Sequence, residues 1–185
     1  MENAEIRKII EEAYGARGLE FGEQRDRLVV RAPREIIHEL CLFLRDHAEL
    51  QFNYLSDMTA YDLLDLGLEP RFEVIYHLYS IGEKYHRIIV KAGVPEDDCQ
   101  IATVSDVWMC AEFAECEVWD MYGIRFENHP NLYRLIMHED WEGHPLRKDF
   151  PLGGSTSFYY KRDTHEYAGE PQGMVPRIRM QKGEV

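Results

Sequence analysis

The residues best equipped for chemistry cluster late in the chain, in HEDWEGHPLRKDFPLGG, from His138 to Gly154. Two histidines flank Glu139, Asp140, Trp141 and Glu142, and the basic pair Arg147 and Lys148 lies between two prolines. With His129 upstream, these imidazoles and carboxylates are ligand types that zinc hydrolases use. The spacing opposes that use. There is no HExxH and no pair of histidines four residues apart on a helix, and Pro145 fixes the backbone beside His144. Histidines in such a loop are expected to hydrogen-bond backbone carbonyls instead.

Glu112, Glu115, Glu117 and Asp120 form a second candidate set, able in principle to supply an acid/base pair. At this spacing they read more simply as the solvated or interface face of a helix. The chain has no GxSxG, no Walker loop and no GxGxxG following a strand. Arg147, Lys148 and Asp149 support two readings. One is a local salt-bridge network; the other is docking to a partner carboxylate, where the planar guanidinium fork imposes geometry. From its residues alone the chain reads as a scaffold or interaction subunit.

The elements that position these groups are legible for most of the chain. Ile6, Ile9, Ile10, Ala13 and Tyr14 recur at helical spacing, with Gly15 as a stop. Arg27 to Arg31 reads as a short strand. Pro33 opens a second helix with Ile36, Ile37, Leu40, Cys41 and Leu44 on one face. Leu50, Phe52 and Tyr54 alternate as in a strand over residues 50–56, and residues 57–70 read as a loop or partly extended excursion. RFEVIYHLYS and KYHRIIVKA, about Gly82, predict a hairpin whose His77 and His86 lie on the sheet surface. Thr103 and Asp106 fit a capping box for a helix running to about Tyr122, ended by Gly123. The order α-β-α-β-β-β-α predicts an α+β fold: a two-layer domain with a mixed β-sheet and helices on one face, then a long irregular C-terminal extension. The expected divisions are 1–125 for the α+β domain, 126–154 for an irregular docking segment and 155–185 for an extended partner-binding tail.

Composition narrows the function classes. The 185 residues carry 34 acidic and 21 basic groups, net −13, a surface that repels phosphate backbones and excludes nucleic acid as a general partner. Residues 151–185 hold five basic and four acidic groups, so the acidity lies in the body. An aromatic, Gly/Pro-punctuated tail on such a body is expected to order on a partner. No apolar run approaches the roughly 18 residues of a spanning helix, and MENAEIRKII lacks a signal-peptide core. A cytoplasmic location follows as the expectation, with membrane association only through other subunits. The four cysteines form no CxxC pair and are expected as free thiols.

The run AECEVWDMYGIRFENHP, from Ala114 to Pro130, continued by HEDWEGHPLRKDFPLGG, resembles the signature of the 30 kDa subunit family of NADH-quinone oxidoreductase, respiratory complex I. The resemblance is dense from Trp108 to Gly154 and looser over residues 20–100. It departs where the family has arginines at positions 116 and 133, here Cys116 and Tyr133, and at Asn128 and His138. The resemblance implies a subunit without catalytic residues and without cofactors of its own, in a translocase whose FMN, iron–sulfur clusters and quinone belong to other subunits. It implies docking on the quinone-site subunit, with subunits B and I or other peripheral-arm subunits nearby, at the cytoplasmic side of the membrane. The docking residues it points to are Glu115, Glu117, Asp120, His129, Arg134, Asp140, Trp141, His144, Arg147, Lys148 and Asp149. Two rivals are the equivalent subunit of a membrane-bound hydrogenase or F420H2 dehydrogenase, and a stand-alone metal-dependent hydrolase using the histidine–carboxylate cluster.

Overall fold

The computed structural model describes residues 1–82 and 85–150, with the backbone of Tyr159–Lys161 and Glu166–Ala168. Helix α1 (Asn3–Tyr14) precedes strands β1 (Glu20–Gln24) and β2 (Arg27–Ala32). Helix α2 (Ile37–Asp46) then leads to β3 (Tyr54–Asp62), β4 (Phe72–Ser80) and β5 (His86–Val94). These strands make one sheet in the order β1-β2-β5-β4-β3. The β2–β5 pair is parallel, with Val30 opposite Val90, and the others are antiparallel, so the sheet is mixed as expected. A second, two-stranded parallel sheet joins β6 (Gln100–Ala102) to β7 (Arg125–Glu127), which flank helix α3 (Ala111–Tyr122).

Period-two patterning decides which face of the sheet is covered. Phe72, Val74, Tyr76 and Leu78 of β4 are fully buried and share one core with Ile6 and Ile10 of α1, Ile37, Leu40 and Leu44 of α2, and Ala111 and Val118 of α3. The alternate positions carry Glu73, which binds Arg31 Nε (2.8 Å) and Lys91 Nζ (2.9 Å), and His77. Glu73 and Ile75 are buried as well, while all three α-helices pack into the core that holds Phe72, Val74, Tyr76 and Leu78.

Several expectations change. Leu50 and Phe52 are buried, but no strand holds them: Gln51 has φ +47, which turns both neighbours inward from a coil. The strand begins at Tyr54 and runs to Asp62, through the region expected to be a loop. Its inward residues Met58, Ala60 and Asp62 are a weak apolar signal beside β4. The capping box does not form. Thr103 follows β6 and accepts the Ser105 amide, Asp106 binds His38 Nε2 (2.9 Å), and α3 starts only at Ala111. His86 is buried rather than on the surface, its Nε2 lying 2.6 Å from Leu50 O and its ring edge-on to Phe52. Strand β1, the β6–β7 pair and a short antiparallel ladder of β8 (Tyr159–Lys161) with β9 (Glu166–Ala168) were not anticipated. The remaining residues from 151 on, including the expected partner-binding tail, lie outside the described residues.

Candidate docking site at the end of the third helix

An α-helix leaves its last carbonyls without intrahelical partners. At the end of α3 the irregular segment supplies them. His144 Nδ1 meets Asp120 O (3.0 Å), Leu146 N donates to Met121 O (3.0 Å), and Arg147 Nε donates to Tyr122 O (2.5 Å). Gly123 makes the approach possible. Its φ of +77 ends the helix, and a Cβ there would stand 2.6 Å from the His144 ring and 2.7 Å from Arg147 Nη2. The guanidinium groups of Arg134 and Arg147 also lie at the negative end of the helix dipole.

Asp120 organises the start of the wrap. It has no exposed surface, and its carboxylate accepts from the amides of Ile136 and Met137 (2.8 Å each) and from Arg134 Nη1 (2.6 Å). Burial pushes this carboxyl up, but the three donors win and hold it below the usual aspartate range. Arg134 also lies over the Trp119 ring and donates to Gly143 O.

The far end is clamped to the sheet. Arg71, almost wholly buried, donates to both oxygens of Asp62 (3.1 and 2.8 Å), to Asp149 (2.8 Å) and to Glu96. The amide of Lys148 reaches the same Asp62 carboxylate (2.8 Å). Burial raises Asp62, yet Arg71 and the amides of Lys148 and Leu64 hold it low; the Arg71 bond does the same for Asp149. Arg71 and Arg147 both lie over the Phe72 ring, at 4.8 and 5.0 Å. Trp141 stacks on Phe150 with ring centroids 6.2 Å apart.

A third cluster joins α3 to the β6 end. Glu115 is fully buried, accepting from Thr103 Oγ1 and from the Val104 amide (2.7 Å). Burial pushes its pKa up to about 7 against the lowering effect of those two bonds. His129 Nε2 lies 3.8 Å from this carboxylate and 3.9 Å from the Cys116 thiol. That looks like a nucleophile, base and acid in a row. The hydrogen bonds say otherwise: His129 Nε2 is 3.0 Å from Glu112 O, and Nδ1 accepts from the Asn131 amide (3.1 Å). Both ring nitrogens serve the backbone, and burial raises the Cys116 thiol pKa, away from a reactive thiolate.

The expected site residues therefore divide. Glu115 and Asp120 offer no surface to a partner, so direct docking by them is corrected to positioning of what lies around them. His129, Arg134, His144 and Arg147 are part-buried with bonds to their own chain, and Arg147's fork is turned to Tyr122 O and Phe72. Asp149 is half-exposed on Arg71, while Glu117, Asp140 and Lys148 remain outside. The imagined metal set is scattered. His144 and His129 turn to α3, and exposed His138 pairs with Asp140 (3.4 Å). Among the described residues no three His, Cys, Asp or Glu side chains are grouped to hold a metal ion. Sequence reasoning missed Arg71 and Asp62, whose positions in unremarkable strand ends carried no motif. Likewise among the described residues, no helix is long and apolar enough to cross a membrane.

Comparison with known proteins is consistent with this geometry. The model of the respiratory-chain NADH dehydrogenase 30 kDa subunit family matches residues 30–156, ending just after the clamp. A subunit of the NADH-quinone oxidoreductase of Geobacter sulfurreducens is 47% identical over 152 residues, 82% of this chain and 91% of the relative. Its namesake from Roseiflexus sp. is 40% identical over 92% of this chain and 97% of the relative. Among solved structures, a trypsin-resistant fragment (1–134) of Nqo5 is similar to 69% of this chain and 98% of its own, with TM-score 0.60 and 34% identity. A chain of an archaeal respiratory membrane complex, the membrane-bound sulfane sulfur reductase, is similar over 80% of this chain and 85% of its own, with TM-score 0.67 and 29% identity.

Proposed function

The chain belongs to the 30 kDa subunit family of respiratory-chain NADH dehydrogenases, and from this premise we propose that it is a non-catalytic structural subunit of the peripheral arm of a NADH:quinone oxidoreductase. It docks on the quinone-site subunit, beside subunits B and I, at the cytoplasmic side of the membrane, and so supports electron transfer from NADH to quinone. FMN, the iron–sulfur clusters and quinone are held by other subunits.

The observation that carries this reading is the use made of the motif. Residues that resemble catalytic groups, namely Asp120, His129, His144 and Arg147, bond to the chain's own backbone and fix the path of residues 131–150. A shaped, rigid surface is what such a design produces, and a partner is what such a surface serves. The sulfane sulfur reductase neighbour favours a second reading, in which the same subunit serves a related assembly with another electron donor, such as a membrane-bound hydrogenase or F420H2 dehydrogenase.

Affinity purification of the tagged full chain from detergent-solubilised membranes tests both. NADH- and flavin-binding subunits should co-purify, with NADH–quinone activity in the assembly and none in the isolated chain. Recovery of a different donor module selects the second reading. Turnover by the chain alone, or its purification without membrane subunits, overturns the proposal.

A further inference from the structure

Residues 129–137 run along α3 in its own direction. His129 Nε2 lies at Glu112 O (3.0 Å), Cys116 Sγ donates to Asn131 O (3.6 Å), and the Ile136 amide donates to Asp120 (2.8 Å). The segment therefore covers the helix line Glu112–Cys116–Asp120. Successive residues turn about 100° around a helix, which sets Phe113 and Glu117 on the strip next to that line. Phe113 is 58% exposed and Met109, in the turn entering the helix, 84%. On the segment itself Tyr133, Leu135 and Ile136 face outward, Ile136 at 57%. Single exposed apolar residues are ordinary, but five along one helix and the strand of chain beside it form a patch.

Apart from Arg134, which Asp120 engages, the charged side chains beside that patch are acidic among the described residues. Glu117 lies on the strip, and at the His129 end the patch runs into a cleft of about 570 Å³ whose carboxylates are Asp106, Glu112 and Glu127. Asp106 is engaged by His38. Glu112, Glu117 and Glu127 meet no basic side chain among the described residues. A second copy of this chain would bring acid against acid, and so would an anionic lipid surface.

We infer that the strip formed by Met109, Phe113, Tyr133, Leu135 and Ile136 is the interface of this chain with a protein partner that presents an apolar patch edged with lysine and arginine, whose basic groups enter the Glu112–Glu127 cleft. This rests on the assembly role proposed above and names the surface through which it is exercised. The segment's internal bonds set the height and register of the strip, and the apolar side chains supply the contact. The acidic edge steers the encounter and rejects like-charged surfaces.

The test uses the tagged full chain in cells whose own copy of the gene is deleted, reading the amount of assembled complex recovered. Phe113→Glu with Ile136→Glu should lower recovery by about tenfold or more, the effect of losing central interface residues. Thermal unfolding of the isolated chain should move only a few degrees, since more than half of each side chain is exposed; a large drop would make the loss of recovery a folding defect and contradict the interface. Glu112→Lys with Glu117→Lys should lower recovery too, and wild-type recovery should fall as salt rises. Normal recovery of both variants from cells in which the wild-type chain recovers its complex would overturn this surface and leave the assembly role standing. Failure of the wild-type chain to recover any partner would instead overturn the assembly role, and the surface with it. Self-association of the isolated chain that Phe113→Glu abolishes, or its binding to phosphatidylserine vesicles, would also contradict the inference by naming another occupant.

Discussion

Val74 in the middle of β4 and Asp120 at the end of α3 are equally inaccessible to solvent, but they belong to regions held by different physics. Around Val74 the sheet and helices meet through apolar side chains whose spacing follows the strand and helix periods, and burial of area is the driving term. Around Asp120 the chain has no period and little apolar area. Its path is fixed by donors and acceptors that each close one unsatisfied backbone or carboxylate group. A core of the first kind tolerates similar shapes; a wrap of the second kind depends on single atoms.

The largest expected effect is at Asp120. Asp120→Ala takes the carboxylate partner from Arg134 and the acceptor from two amides in a part-buried site, and breaking a buried ion pair in this way costs about 3–5 kcal/mol. The loss should concentrate in residues 134–150, whereas Leu78→Ala in β4, costing a similar amount of about 2–5 kcal/mol, should weaken all amides together. Amide exchange of the two variants would separate them, and identical patterns would erase the contrast between the regions.

A pH-dependent effect follows from Glu115. Its folded pKa is raised from 4.5 to about 7, so the folded chain holds a proton that the unfolded chain releases between those values. Its contribution to stability is full below pH 4.5 and is lost as pH rises toward 7. His144 and His77 work oppositely: burial lowers both, so their share is lost as pH falls below 6.5. Comparing wild type with Glu115→Gln cancels the histidines. The difference between the two stabilities should change by roughly 2–3 kcal/mol from pH 4.5 to 7, with wild type falling relative to the variant. Parallel curves would remove Glu115 from the account.

Arg147→Ala should cost about 1.5–3 kcal/mol, the range for a hydrogen bond from a charged donor, and should lower the unfolding midpoint of the isolated chain. An unchanged midpoint would return Arg147 to the role of a partner-facing fork. Gly123→Ala should cost about 1 kcal/mol from the backbone conformation alone, with the displacement of His144 and Arg147 added to it. Its crowding of His144 should loosen residues 144–147 before the rest, as read by their amide exchange.

Much of the body could be read from the sequence because period and burial coincide there. Ile6 and Ile10, Leu40 and Leu44, and Phe72 to Leu78 lie where their spacing places them. The misreadings have physical causes. Met58, Ala60 and Asp62 alternate correctly but are weakly apolar, and Gln51 breaks the line between Leu50 and Tyr54 with a positive φ. The segment from His129 to Phe150 is recognisable as a motif in the sequence, yet not the direction its side chains take. Arg147 has the same fork whether it faces a partner or Tyr122 O, and only the fold decides. Arg71 carried no local signal because Asp62, Glu96 and Asp149, its three partners, are far apart in sequence.

Residues 129–150 are held on the end of α3 by bonds within the chain itself, which need no partner to form. Hydrogen–deuterium exchange of the isolated full chain at the amides of Ile136, Met137, Leu146 and Lys148 tests it most directly. These four donate to Asp120, Asp120, Met121 O and Asp62. Exchange should be slow at all four in the free chain and rapid at Glu139, in the exposed part of the segment between them. Exchange at unstructured-peptide rates across residues 134–150, becoming slow only in the assembled complex, would contradict it.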